Sequence, residues 1–503
     1  MTRKFKNLAA VDLGSNSFRL IVGRVEETPT GSPQIYPTDA LREPVRLAAG
    51  LTHDKFLDNA SQQRALDTLR RFGELIRDYP PENVRAVATN TLRVAKNSQE
   101  FLALADAALG FPIEVIAGRE EARLIYAGAS RSVPSISGKR LVVDIGGGST
   151  EFVIGKDYDP ILMESLYIGC VGHSRQYFPN NNVDDYTMKQ AELAARREIQ
   201  SIAAEYKGVG WDQSIGSSGT ARALAEILEL NGLNDKSIEH GITREGLDKL
   251  KRLLIKAENV NRLKLEALKP DRVPVLAGGL SIMLSVFKEL DVQHMEVTDG
   301  ALRLGVLYDL LGRVEHHDMR DVTVEQFTQR YSIERAQAER IAKVALALHS
   351  QFPVADDDVA EDESQALRWA AQLHEVGLSI SHNSYHKHSA YIVSNADMPG
   401  FSKKEQLRLA ALVLGHTGKL GKLTSLARQV DWHLVLCLRL ACLLCRRRSD
   451  NTFVGLTIAE TSNGWDIGIS RKWTEENPLT EFSLRQECVE WGKVEKVLNL
   501  SYF

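Results

Sequence analysis

The strongest constraint on this chain is a short pattern that occurs twice. "AVDLGSNSFRLIVG", residues 10–23, and "VVDIGGGSTEFVIG", residues 142–155, overlay without a gap at a spacing of 132 residues. The overlay matches Val11 with Val143, Asp12 with Asp144, Gly14 with Gly146, Ser17 with Ser149 and Gly23 with Gly155. Each copy reads as an apolar strand, a tight glycine-rich loop, and a second strand of branched residues. This separates it from the phosphate loops of Walker and Rossmann type, in which the glycines open onto a helix. One such hairpin is readily just a turn, since glycine is the usual turn residue. Two copies with Asp and Ser in register point instead to one structural device used twice.

The chemistry of such a loop follows from its residues. Glycines let a turn aim several backbone N–H groups at an anion with no Cβ in the way. Ser17 and Ser149 add hydroxyl donors, while carboxylates at the strand ends repel phosphate unless a hard cation such as Mg²⁺ lies between them. Asp12 and Asp144 are therefore expected at a metal. Two hairpins facing each other across a cleft would clamp a chain of phosphates.

At 503 residues the chain is too long for one core, and three or four domains are expected. The formal charge of −4 means that a polyanion must be met by local basic clusters rather than by the whole surface. "HLVLCLRLACLLC", the most apolar run, is divided by Arg439, and the apolar stretch after the basic N-terminal residues is too short for a secretion signal. Five cysteines, an odd number, argue against a disulfide framework, so a cytoplasmic protein that meets no membrane is expected. Cys442 and Cys445 form a C-x-x-C inside an apolar helical stretch, which favours packing over metal or redox work.

Strands and helices alternate from Leu8 to about Tyr126 and again from Lys139 to about Tyr308, each half opening with the repeated hairpin. After Gly312 the periodicity is helical: in "ESQALRWAAQLHEVGLSI", Leu367, Ala370, Ala371, His374 and Leu378 share a face. The acidic "VADDDVAEDES" before it reads as a solvated loop. "TFVGLTIAE" and "WDIGIS" around "TSNG" read as a hairpin, followed by a short helix.

With "AVDLGSNSF", "ATNTLR", "GREEARLI", "VVDIGGGSTE", "GSSGT", "DGALRLGVL" and "LHEVGL" occurring in this order, the chain resembles the exopolyphosphatase/guanosine pentaphosphate phosphatase family of the actin-like superfamily over nearly its whole length. The resemblance implies an α/β fold of duplicated actin-like (ribonuclease H-like) lobes with a catalytic cleft. An HD-like all-helical domain and a small C-terminal α+β piece would follow. The corresponding bounds are 5–126, 127–312, 313–450 and 451–503. It also implies Mg²⁺-dependent hydrolysis of terminal phosphoanhydride bonds, with K⁺ as a candidate activator, in a homodimer that binds no DNA. The three glycines of "DIGGGSTE" look more like the branch that acts on inorganic polyphosphate. The alternative at the same site is guanosine pentaphosphate, or tetraphosphate. A non-catalytic sensor of alarmone or polyphosphate is a reading from a different class, and a sugar-kinase-like transfer is disfavoured because no sugar-binding insertion is evident.

Carried over to this sequence, the resemblance makes Glu121 of "GREEARLI" the general base that deprotonates the attacking water. Glu120 competes for that role, but adjacent helical residues point about 100° apart, so only one should face the cleft. Asp144 and Glu151 are the expected metal-associated carboxylates, with Asp12 assisting; Glu151 could equally share in water activation. Gly146, Gly147, Gly148 and Ser149 are expected to hold the terminal phosphates, with Ser15, Asn16 and Ser17 opposite and Arg93 as a phosphate fork. "GSSGT" would touch a further phosphate or start a helix. In the helical region His374-Glu375 stands where HD-type metal phosphohydrolases have His-Asp, with His382, His386, His388 and His416 nearby; a degenerate fold used for binding or dimerisation is expected. Lys387, Lys403, Lys404, Lys419, Lys422 and Arg446–Arg448 are the candidate basic wall for a long polyanion.

Overall fold

The computed structural model describes residues 7–27, 33–134, 136–234, 240–314, 318–353, 357–449 and 455–503. The chain divides into two compact units, Met1–Asp318 and Met319–Phe503.

The first unit is built on two sheets. One contains β1 (Asn7–Leu13), β2 (Phe18–Glu27), β3 (Pro33–Glu43), β4 (Val84–Ala88) and β5 (Ile113–Val115) in the order β3-β2-β1-β4-β5. The other contains β6 (Lys139–Ile145), β7 (Thr150–Lys156), β8 (Asp159–Leu166), β9 (Gln213–Ser217), β10 (Ile242–Thr243) and β11 (His294–Val297) in the order β10-β11-β9-β6-β7-β8. The sequence repeat is a structural repeat. β1 pairs antiparallel with β2 and parallel with β4, and β6 pairs antiparallel with β7 and parallel with β9. Even the irregularities correspond: the register slips at Val22/Gly23 on β2 and at Ile154/Gly155 on β7. A Cβ on Gly23 would strike Ile35, and one on Gly155 would strike Tyr126, so both bulges need glycine.

The helices of this unit are α1 (Asn59–Ile76), α2 (Asn90–Val94), α3 (Ser98–Leu109), α4 (Gly118–Ser130), α5 (Cys170–Tyr177), α6 (Asp185–Val209), α7 (Ser218–Leu230), α8 (Arg244–Ala257), α9 (Val273–Glu289) and α10 (Leu302–Val314). The hairpin strands are buried on both faces, which is why they read as continuous apolar runs. Ala9, Val11 and Leu13 of β1 enter the core of the first lobe, while Leu8 and Ala10 face a second cluster. β6 divides in the same way, with Leu141, Val143 and Ile145 in one core and Val142 in that shared cluster. The shared cluster is filled by α4 and α10, so these two helices join the sheets. Their backbones approach closely at Gly128 and Gly305, where a Cβ on Gly305 would collide with the Leu124 carbonyl. The boundary expected after residue 126 thus falls inside α4, and α10, though it follows the second sheet in the chain, packs beside β1 and β2.

The second unit holds α11 (Met319–Arg330), α12 (Arg335–His349), α13 (Asp357–Leu373), α14 (Tyr385–Asn395), α15 (Lys403–Gly415) and α16 (Trp432–Leu444). A small sheet follows, with β12 (Thr457–Thr461), β13 (Gly464–Ile469) and β14 (Val497–Tyr502) in the order β12-β13-β14, and with α17 (Arg471–Glu476) and α18 (Pro478–Gly492) between its last two strands. The expected hairpin is β12–β13. The chain end adds a strand parallel to β13 that its short sequence pattern did not announce. Ile458, Ile467, Trp465 and Trp491 share one core with the helices, so the end piece has no separate interior. The acidic segment read as a loop is helical from Asp357 onward. Carboxylates in a first turn are favoured by the helix dipole, so acidity there marks a helix start as well as a solvated loop. Its residues 354–356 lie outside the described residues. Among the described residues no helix is long and apolar enough to cross a membrane.

Candidate active site

The two repeated loops face one another. A Cβ on Gly147 would lie 3.1 Å from Ser15 Cβ and 3.6 Å from the Asn16 nitrogen, so the hairpin tips are in contact distance. Each tip has its carbonyls tied down on its outer side. Ser15 and Asn16 carbonyls accept from Ala48 N at 2.9 Å and Arg46 N at 2.8 Å; Gly146 and Gly147 carbonyls accept from Cys170 N at 2.9 Å and Val171 N at 3.0 Å. All peptides are trans among the described residues, so the N–H that follows each bound carbonyl points the opposite way. The amides of Asn16, Ser17, Gly147 and Gly148 are thereby turned away from the anchoring segments, and all four residues line a cleft of about 130 Å³. Thr91 braces the first tip by donating to Ser15 Oγ at 2.8 Å. A Cβ on Gly148 would strike Asn90, so the second tip needs glycine there.

Asp12, Ser15, Asn16, Ser17, Glu121, Asp144, Gly146, Gly147, Gly148 and Ser149 all line this cleft. Glu151 and Arg93 do not. Glu151 pairs with Asp144 across the second hairpin and accepts from Ser165 Oγ at 2.9 Å. Arg93, expected as a phosphate fork, is held here to a carboxylate: its Nη1 donates to Glu121 Oε2 at 2.8 Å and to the Ile116 carbonyl at 2.9 Å. Glu120 is settled too. It is buried with Arg123, at 2.8 Å, and near Arg85; both arginines also grip Asp309 of α10. Of the two adjacent glutamates, Glu121 alone reaches the cleft, and Glu120 holds α4 in place.

Electrostatics concentrate here. Burial pushes Asp12 up to about 6 and Asp144 to about 7; Asp144 is partly relieved by Ser217 Oγ, which donates at 2.8 Å. Glu151 is raised well above the carboxylate range by burial and then by Glu121 and Asp144. On the opposing side, burial lowers Arg19 to about 10, with Arg303 as the next cause, and also lowers Arg303 and Arg272. These three arginines line the cleft and were not singled out from the sequence. The signal was present: Arg19 sits at the position matching Glu151 in the gapless overlay, opposite Asp12 on the hairpin as Glu151 is opposite Asp144. One hairpin thus pairs its aspartate with an arginine, the other with a glutamate.

"GSSGT" does two things. It starts α7, with Ser218 at a positive φ of 87°, and Ser218, Gly219 and Thr220 line the cleft. Two of the histidines around the altered His-Asp position are engaged with each other and with backbone carbonyls. His374 and His416 stack edge-on at 5.1 Å; their Nδ1 atoms face the carbonyls of Ala371 at 2.7 Å and Val413 at 2.6 Å, and Arg448 grips Glu375. Of the expected basic wall, Arg448 is spent on Glu334 and Glu375.

The Ppx/GppA phosphatase family model matches residues 25–314, and its domain III model matches residues 319–488. The chain belongs to this phosphatase family. Among curated relatives, the guanosine-5'-triphosphate,3'-diphosphate pyrophosphatase of Pseudoalteromonas translucida is 37% identical over 490 residues, covering 97% of this chain and 96% of the relative. The protein of the same description from Aeromonas hydrophila is 36% identical over 485 residues, 95% of each chain. Among solved structures, the Aquifex aeolicus Ppx/GppA member is 27% identical with a TM-score of 0.50, over 61% of this chain and 98% of its own. The exopolyphosphatase of Cytophaga hutchinsonii, 22% identical with a TM-score of 0.53 over 62% of this chain and 98% of its own, shares the fold. The family members thus have the actin-like α/β arrangement described above, and here a helical domain and a small β end follow it.

Proposed function

We propose that this Ppx/GppA phosphatase hydrolyses the terminal phosphoanhydride of guanosine pentaphosphate, releasing orthophosphate. The observation that carries the choice is similarity along almost the entire chain, helical unit included, to relatives described as guanosine-5'-triphosphate,3'-diphosphate pyrophosphatases. This reverses the preference drawn from the third glycine of "DIGGGSTE", a single loop residue that both substrates can use because each presents the same terminal phosphates.

In this reading the amides of Asn16, Ser17, Gly147 and Gly148 bind the terminal phosphoryl oxygens, and Arg19, Arg272 and Arg303 balance the remaining charge. Glu121 orients and deprotonates a water in line with the leaving phosphate, its carboxylate aimed by Arg93. Asp12, Asp144 and Glu151 suit a hard divalent cation such as Mg²⁺. Asp12 Oδ1 is buried with no hydrogen-bond partner among the described residues, and burial raises all three carboxyls, a cost that a cation offsets. When bound, that ion would neutralise charge on phosphate oxygens. Ser217 fixes Asp144, and Ser165 fixes Glu151, for that task.

The test is orthophosphate release with Mg²⁺ from guanosine pentaphosphate and, separately, from long-chain polyphosphate. Preferential turnover of the nucleotide supports the proposal; processive shortening of polyphosphate with no nucleotide turnover overturns it. Release from neither would favour a binding-only protein.

A further inference from the structure

His349, Glu363 and His433 come from three different helices of the second unit and converge on one point. His349 is the last residue of α12, Glu363 lies in the second turn of α13, and His433 is in the first turn of α16. His349 Nε2 is 2.9 Å from Glu363 Oε2, and His433 Nε2 is 3.1 Å from Glu363 Oε1. One donor atom from each residue lies within 4.8 Å of the other two, and this is the one group of histidine, cysteine and acidic side chains among the described residues that meets this spacing. The imidazoles face each other nearly parallel, 6.1 Å apart at 25°.

We propose that these three side chains bind a divalent transition-metal ion of the Zn²⁺ class. Two imidazole nitrogens with one carboxylate form a donor set suited to Zn²⁺ and poorly suited to Mg²⁺, which takes oxygen. Ligands about 2 Å from a tetrahedral ion lie roughly 3.3 Å apart. Each imidazole Nε2 already stands near that spacing from one oxygen of Glu363, Oε2 for His349 and Oε1 for His433, and one donor atom from each residue lies within 4.8 Å of the other two, so enclosing an ion needs side-chain adjustment rather than backbone movement. The ring of His349 is oriented for it, its Nδ1 facing Ser364 Oγ at 3.5 Å and leaving Nε2 for the shared point. The side chains of His349 and Glu363 are 4% and 12% exposed while that of His433 is 32% exposed, which gives a dry interior face and an opening to solvent. Arg408 pairs with both Asp362, next to Glu363 in α13, and Asp431, the residue before α16, and so ties α13 to the start of α16 beside this group.

This site is separate from the altered His-Asp position. His374 lies just past the end of α13, and from Glu363 to the helix's last residue, Leu373, is already about 15 Å at the helical rise. It is separate in chemistry from the carboxylates of the cleft, which belong to the first unit. Without a metal both Nε2 atoms face the Glu363 carboxylate; an ion bound at Nε2 leaves the proton of each neutral ring on Nδ1, which in His349 faces Ser364 Oγ. The consequence of binding would be a clamp on α12, α13 and α16.

The test uses the full chain, stripped by chelator and titrated with Zn²⁺ against a chromophoric competitor in millimolar Mg²⁺, so that hard-cation positions are filled. One Zn²⁺ per chain is expected at micromolar affinity or tighter, weakened tenfold or more by His433→Gln and by Glu363→Gln and retained in Asp144→Asn. Unchanged affinity in both His433→Gln and Glu363→Gln, or no stoichiometric uptake by the wild type, overturns the proposal. Bound Cu²⁺ in the wild type provides a readout independent of variant folding: nitrogen splitting in its paramagnetic resonance spectrum supports the imidazole ligands, and an all-oxygen spectrum overturns them.

Discussion

Arg93 Nη1 bridges the Glu121 carboxylate and the Ile116 carbonyl, at 2.8 and 2.9 Å, and so ties the cleft-facing glutamate of α4 to the segment between β5 and α4. Arg93 belongs to α2, yet it positions a side chain of α4. Lysine at this position keeps the charge and loses the planar fork. Arg93→Lys is therefore expected to lower kcat by roughly tenfold to a hundredfold with little change in KM, since misplacement of a catalytic group by about 1 Å has that order of effect. Steady-state orthophosphate release measures it. A raised KM at unchanged kcat would return Arg93 to phosphate binding.

Glu121→Gln keeps the shape of the side chain and removes its basicity. Turnover is expected to fall by about 10²–10⁴-fold, the usual contribution of a positioned base. Nucleotide binding, measured at equilibrium, should stay near the wild-type value because the loop amides are untouched. Unimpaired turnover would remove Glu121 from the chemistry and turn attention to Glu151.

Asp12 and Asp144 predict an unusual pH dependence. Their carboxyls are pushed up from 3.8 to about 6 and about 7, chiefly by burial. Between about pH 4 and pH 7 the folded protein thus holds protons that the unfolded chain has released, so stability falls as pH rises through that window, by up to about 1.4 kcal/mol per pH unit for each carboxyl. Below the window the favourable contribution is complete. A divalent cation at these groups acts in the opposite sense, binding the ionised form. Added Mg²⁺ is expected to raise the thermal midpoint more at pH 8 than at pH 5. An equal or larger gain at pH 5 would count against Asp12 and Asp144 as cation ligands.

Gly305→Ala tests the joint between the sheets. The added methyl meets the Leu124 carbonyl of α4, a backbone atom that cannot rotate aside. A loss of about 1–3 kcal/mol is expected, the usual cost of overpacking, read as a lowered urea midpoint. Because α4 also carries Glu121, kcat should fall in the folded variant as well. A variant with wild-type stability and kcat would mean that α4 and α10 adjust without cost.

Much of the site was legible because it is local. A glycine-rich tip, the aspartate before it and the serine within it are neighbours in sequence, and the repeat made them recognisable as Asp12 and Asp144 with their loops. Glu120 and Glu121 could be ranked only so far as helical geometry separates their directions; which of them enters the cleft depends on Arg85 and Asp309, which lie far away in the chain. Arg19, Arg272 and Arg303 were missed for a related reason. An arginine has the same appearance on a solvated face as in a cleft, and its partners are chosen by packing.

The sequence by itself determined the two hairpins, their bulge glycines at Gly23 and Gly155, and the alternation that makes β1 and β6 fit between two layers. These depend on backbone sterics and on period-two burial, which act within a few residues. Tertiary structure alone decided that α10 returns to pack beside β1, that α4 and α10 together join the sheets, and that His349, Glu363 and His433 meet. Such contacts depend on apolar surface and charge being removed from water jointly by segments distant in the chain. That free energy belongs to the pair of surfaces and is not visible in either stretch of sequence alone.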